Sequence, residues 1–173
     1  SLAFGEVKSL SFRGSGLDLD LAVEVTKIES LRCLEIENED IDPILLLRGI
    51  QEDTKLQSLR MSGSKASTSV FVNSALATSL LLIDVSNSVF SIQSMSSLLR
   101  CLGAEERRNP LVLDVSNIQL QGSWSEVFGM LEDGSAAAIT ELRFDGNVMG
   151  DLDFVGFMEY LRLQSGLEYL SIE

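Results

Sequence analysis

Two carboxylates, Asp84 and Asp114, stand thirty residues apart in nearly the same surroundings. The first lies in Leu82-Ile83-Asp84-Val85-Ser86-Asn87 and the second in Val112-Leu113-Asp114-Val115-Ser116-Asn117. Carboxylates brought side by side repel each other and attract a basic side chain from outside, so where the fold puts them matters. Catalytic alternatives have little to work with. The chain contains no His, which removes His-based triads and general bases. Two cysteines without His make no zinc site. Gly14-Ser15-Gly16 lacks the Lys-Ser/Thr of a phosphate loop and reads as a turn leaving a strand. The acidic run Glu37-Asn38-Glu39-Asp40, with Asp42, lacks the Gly and closing Glu of an EF-hand loop and reads as a solvated turn. The expectation is a non-enzyme with no catalytic residues, metal or cofactor.

Bulk properties narrow the partners. The 173 residues are 45% apolar and 23% charged, ordinary values for one folded domain with a sizeable core. The net charge is −13 and no run of Lys or Arg occurs, which argues against nucleic acid and against an anionic membrane surface. No apolar stretch approaches the ~18 residues of a membrane span. The first residues lack both an initiator Met and a signal-peptide pattern, and the cysteines, Cys33 and Cys101, do not look like the paired end-cysteines of secreted arrays. A cytoplasmic segment cut from a longer chain is expected.

The elements that must position Asp84 and Asp114 come from a pattern that recurs along the chain. Apolar-x-x-apolar-x-apolar-x-x-z-x-apolar fits at Val7, Leu31, Leu56, Leu80, Pro110 and Ile139, with a shortened copy at Leu167. The spacings are 24, 25, 24, 30, 29 and 28 residues, in or beside the range of leucine-rich repeats. Within each copy the alternation, as in Ile83 and Val85 or Leu113 and Val115, predicts a short strand with one buried face. Between strands lie segments with helical spacing: Ile44 to Ile50, Val70-Phe71-Leu76, Met95-Leu98-Leu99-Leu102, Trp124-Val127-Phe128-Leu131 and Phe154-Phe157-Met158-Leu161. Asp42-Pro43 and Ser123 with Glu126 carry helix-start signals. Glu105 to Asn109 reads as an exposed linker. Met130, Met149, Phe154, Phe157 and Met158 are expected in the core, and Trp124 in helix packing. Cys33 falls on a strand and Cys101 on a helix two units away, too far apart for a disulfide.

On these residues the chain resembles the leucine-rich repeat family over almost its whole length, with the longer units similar to the ribonuclease-inhibitor subtype. The resemblance implies an α/β solenoid (horseshoe) with a parallel concave sheet of about seven strands and convex helices, spanning 1–173 as one array without its caps. It also implies an Asn at position z, bonded to the loop backbones of successive units. Here z reads Ser15, Glu39, Ser64, Ser88, Ile118 and Asn147, while Asn87 and Asn117 fall one residue early. Shifting the register to recover them would turn Ile83 and Val85 outward, so Ser is expected to stand in with weaker bonds. In repeat style the chain is loosely similar to actin-regulatory scaffolds of the CARMIL and tropomodulin type. A RanGAP-like GTPase-activating array, a pathogen effector and a ligase substrate-recognition module share the same features.

Strand registry then defines what the concave face presents. A central column reads Ser11, Glu35, Arg60, Asp84, Asp114, Arg143, Ser171, and its neighbours contribute Ser86 and Ser116 on one side, Leu82 and Val112 on the other. The alternating charges Glu35, Arg60 and Asp84, with Asp114 facing Arg143, either compensate one another on a solvated sheet or form a groove for a partner. Leu82 beside Val112 is either scattered surface apolar area or a small binding patch. The binding reading makes Glu35, Arg60, Leu82, Asp84, Ser86, Val112, Asp114, Ser116 and Arg143 the contact set for another protein. Uncapped end units would also favour self-association.

Overall fold

The computed structural model describes residues 6–68, 79–103, 109–131 and 139–173. In chain order the elements are β1 (Ser9–Arg13), α1 (Leu19–Thr26), β2 (Cys33–Glu37), α2 (Pro43–Gly49), β3 (Ser58–Ser62), β4 (Lys65–Ala66) and β5 (Leu82–Asp84). They continue with β6 (Val89–Ser91), α3 (Ile92–Gly103), β7 (Val112–Asp114), β8 (Gln119–Gln121), α4 (Trp124–Gly129), β9 (Glu141–Arg143), α5 (Asp151–Arg162) and β10 (Tyr169–Ser171). Seven strands form one parallel sheet in the order β1-β2-β3-β5-β7-β9-β10. A second parallel sheet of three short strands, β4-β6-β8, follows the turns and has no counterpart in the sequence expectation. The helical segment expected around Val70, Phe71 and Leu76 lies outside the described residues, as does Glu105 to Arg108.

Registry follows the apolar alternation. Ser9, Cys33, Ser58, Leu82, Val112, Glu141 and Tyr169 are successive partners across the large sheet. Residues one position on, such as Leu34, Leu59, Ile83, Leu113 and Leu142, are buried, and so are Ile36, Met61, Val85, Val115 and Phe144. A one-residue slip would expose this whole set. Helices supply the other side of the core through Ile44, Leu46 and Leu47, through Met95, Leu98, Leu99 and Leu102, and through Val127, Phe128, Phe157 and Tyr160. Trp124 is buried as expected, its ring 4.6 Å from that of Phe144, which in turn stacks 4.7 Å from Phe157.

The turns explain why Asn falls early. Each of the first six strands of the large sheet is followed by a residue in the left-handed region: Gly14, Asn38, Gly63, Asn87, Asn117 and Gly146, with φ between 52° and 71°. Only Gly, and at modest cost Asn, adopts this conformation readily. Asn87 and Asn117 are therefore turn residues, not misplaced z residues. Their backbone N–H groups reach across to the next turn, Asn87 to the Ser116 carbonyl (3.0 Å) and Asn117 to that of Asp145 (2.8 Å). Gly146 is further constrained, because a Cβ there would stand 2.0 Å from Asn117 Oδ1.

Position z then does the bonding the resemblance implies, with varied chemistry. Asn147 accepts from the Ile118 N–H (2.9 Å) and donates to the Val115 and Phe144 carbonyls (2.8 and 3.1 Å). Ser88 accepts from the Ser64 N–H (3.1 Å) and can donate to Met61 O or Ser86 O, each 3.2 Å away. A hydroxyl has one proton where the amide has two, so Ser does stand in, with fewer bonds. Glu39 is the correction. Far from a solvated turn residue, it is 6% exposed and accepts from the Ser15 N–H and hydroxyl (2.5 and 2.6 Å) and from the Gly16 N–H (3.1 Å). These bonds, the Ser15 hydroxyl first, hold its carboxyl below the usual range against the opposing effect of desolvation.

Helix starts match the sequence signals. Asp42 caps α2 through the Ile44 N–H (2.8 Å) with Pro43 at the first turn, and Ser123 with Glu126 forms a capping box on α4. α1, capped by Asp18, was not expected. Two core expectations fail on α5. Phe154 and Met158 are exposed, because the helix packs toward the sheet with Phe157 and Tyr160 and toward α4 with Gly156. Ile172, the last apolar position of the shortened copy that starts at Leu167, is also exposed.

Candidate protein-binding face

The large sheet buries one face and leaves the other to present the expected columns. Glu35, Arg60, Asp84, Asp114 and Arg143 are consecutive register partners. Adjacent members of such a column lie about 5 Å apart. Charge compensation along it is uneven. Arg60 stands between Glu35 and Asp84, and its side chain forms no hydrogen bond or ion pair among the described residues, so that half of the expected ladder is not closed by direct contacts. Arg143, by contrast, is held by Glu141 (Nε to Oε1, 2.7 Å) and approaches Asp114 at 4.0 Å. Glu141 foremost, then Asp114 and Asp84, make the Arg143 guanidinium hold its proton more tightly than usual.

Local backbone chemistry orients the two acids. Asp84 accepts from the Ser86 N–H (2.9 Å) and Asp114 from the Ser116 N–H (3.0 Å), each two residues on. This is the turn bond that Asp favours at the end of a strand. One oxygen of each carboxylate is thereby engaged, and both side chains stay half-buried beside each other. Leu82 and Val112 are register partners in the next column and are likewise half-buried, not open. They form an apolar floor next to an acidic notch.

The two serines separate. Ser86 stays half-buried, its hydroxyl accepting a bond from Asn87 Nδ2 (3.3 Å). Ser116 is only 8% exposed, and its hydroxyl accepts from the Asp145 N–H (3.2 Å), so it braces the next turn and drops out of the contact set. Glu141, the next register partner after Leu82 and Val112, borders the set by holding Arg143, two residues on along the same strand face. At the far edge Arg13 and Glu37 form a two-pronged pair (2.7 and 2.6 Å).

No protein-family model matches the chain, and no curated protein matches it either. The chemistry must speak for the site. Asp84 and Asp114 make an acidic notch with a half-buried apolar floor, flanked by Arg60 beside Asp84 and Arg143 beside Asp114, suited to receive an ammonium or guanidinium group on an aliphatic stem. Cys33, on β2, and Cys101, on α3, are not joined in a disulfide. No helix among the described residues is long and apolar enough to cross a membrane.

Proposed function

We propose that this chain is a non-catalytic, cytoplasmic protein-binding array of the leucine-rich repeat type, curved into a horseshoe with the large sheet inside. Curvature follows from size: helices are ~10 Å wide and strands ~4.8 Å apart, so a stack with helices on one side bends toward the strands. The binding surface is the open sheet face around Glu35, Arg60, Leu82, Asp84, Ser86, Val112, Asp114 and Arg143. Its partner inserts a Lys or Arg between Asp84 and Asp114. The observation that carries this reading is the in-register pairing of two like charges, each with a turn bond: Arg143 stands 4.0 Å from Asp114, and Arg60, the register neighbour of Asp84, makes no ion pair with it.

Asp84→Asn with Asp114→Asn tests it, because an amide oxygen keeps the turn bond while the charge goes. Once a partner has been isolated by affinity capture, titration against the purified double variant should show affinity reduced at least about tenfold, with a flatter salt dependence. Thermal stability should not fall, since removing adjacent like charges relieves repulsion. Equal affinity with an unchanged salt slope would place the partner elsewhere.

A further inference from the structure

Helix α5 carries more apolar residues than its packing uses. Phe157 and Tyr160 are buried against the core, and Tyr160 sits deep enough that desolvation pushes its phenol well above the ordinary range. Yet Leu152 is 78% and Val155 56% exposed, and Phe154 and Met158 are exposed as well. A helix that is apolar on nearly every side is one that is covered on nearly every side. Seven of the eight large apolar side chains that are exposed among the described residues lie between Val148 and Ile172. The excess belongs to this end of the molecule, not to the surface in general.

The outer side of α5 is also concave. Together with α4 it forms a groove of about 590 Å³, floored by Phe128, Leu131, Leu152, Val155 and Leu163. A trough between two packed helices is a shape that can receive a third helix by its i, i+3, i+4 anchors. The charge around it selects the kind. Within the groove Glu159 and Arg162 offset each other, while Glu126, Asp151 and Asp153 make the first turns of its two helices acidic. The chain as a whole carries −13, which repels a second copy and attracts a cation. We propose that the α4–α5 groove is a second docking surface, and that it takes a basic amphipathic helix of another protein, with apolar anchors against Leu152 and Val155 and Lys or Arg over Glu159 and Asp151.

The probe is a labelled Leu/Lys amphipathic helical peptide of about 18 residues, long enough to span α5. A scrambled Leu/Lys peptide and a Leu/Glu peptide of the original spacing serve as comparisons. Binding is followed by fluorescence anisotropy at about 0.15 M salt, where long-range attraction is screened. The Leu/Lys helix should bind, and Leu152→Glu with Val155→Glu should weaken it at least about tenfold. Because both side chains are exposed, the variant should keep its circular dichroism spectrum. The loss caused by Leu152→Glu with Val155→Glu should be equally large when Asp84→Asn and Asp114→Asn are already present, which separates this groove from the sheet face. The proposal is overturned if the scrambled peptide binds as well, if the Leu/Glu peptide binds as tightly, or if the groove variant retains full affinity. It is equally overturned if sedimentation shows a dimer of the wild-type chain that this variant abolishes, since the occupant is then a second copy.

Discussion

At position z, one residue per turn joins successive turns, and its chemistry sets how firmly it does so. Asn147 makes three bonds, Ser88 accepts one and has a single proton to donate, and Ile118 is a buried side chain with nothing to offer. Asn147→Ala should therefore cost about 2–3 kcal/mol, against about 1 kcal/mol for Ser88→Ala, since buried donors and acceptors are left without partners. Urea denaturation of the two variants checks the order; a larger loss at Ser88 would contradict it. Gly146→Ala should destabilise by at least about 1 kcal/mol, from the left-handed backbone alone. The contact its Cβ would make with Asn117 Oδ1 adds to that. The sequence shows Asn and Gly at these positions, but only the left-handed φ distinguishes the turn Asn from the ladder Asn.

At the scale of elements, the helix starts are where local signals and lateral packing meet. Asp18 caps α1 through one bond to the Leu21 N–H. Asp42 caps α2 and, with its other oxygen, also accepts from the Ser67 and Thr68 N–H groups at 3.0 Å. Asp153 does the same double work, accepting from the Gly150 N–H of its own helix and from the Ser125 N–H on α4. A lost cap costs about 1 kcal/mol, so Asp18→Ala should fall near that value and Asp42→Ala should cost roughly twice as much. Matched thermal melts of the two variants test the comparison; equal shifts would mean that the lateral bonds contribute nothing. The Asp42-Pro43 signal was readable because a cap is local. Its second role was not, because its partners lie 25 and 26 residues away.

Across the whole molecule, a chain of charge −13 uses several carboxylates as structural acceptors. Glu37 beside Arg13, Glu39 on the Ser15 loop, Glu126 in its capping box and Asp153 at the start of α5 are all held below their usual range. A carboxyl with a lowered folded pKa contributes stability that is complete above its unfolded value, about 4.3 for Glu, and is lost as pH falls through the folded value. Glu39 is the one of the four sealed between turns. Its contribution is isolated by comparison with Glu39→Gln: the stability gap between wild type and variant should be constant from pH 7 to about 5 and shrink below about pH 4. Urea midpoints measured across that range check it, and a gap that widens on acidification would refute the assignment.

What the sequence determined by itself is the strand registry and the columns built on it. Period-two alternation leaves one face that can be buried, and near-constant spacing brings Glu35, Arg60, Asp84, Asp114 and Arg143 into one row. Both are properties of the chain read locally and then repeated. Tertiary structure alone decided which polar groups are consumed inside. Glu39 and Ser116 look exposed in sequence, and each is drawn inward by a backbone N–H more than twenty residues away. It also decided that Phe154 and Met158 face out, since helical spacing marks an apolar stripe without saying which side the neighbouring helix takes. Burial is a property of pairs of elements, and no single segment carries that information.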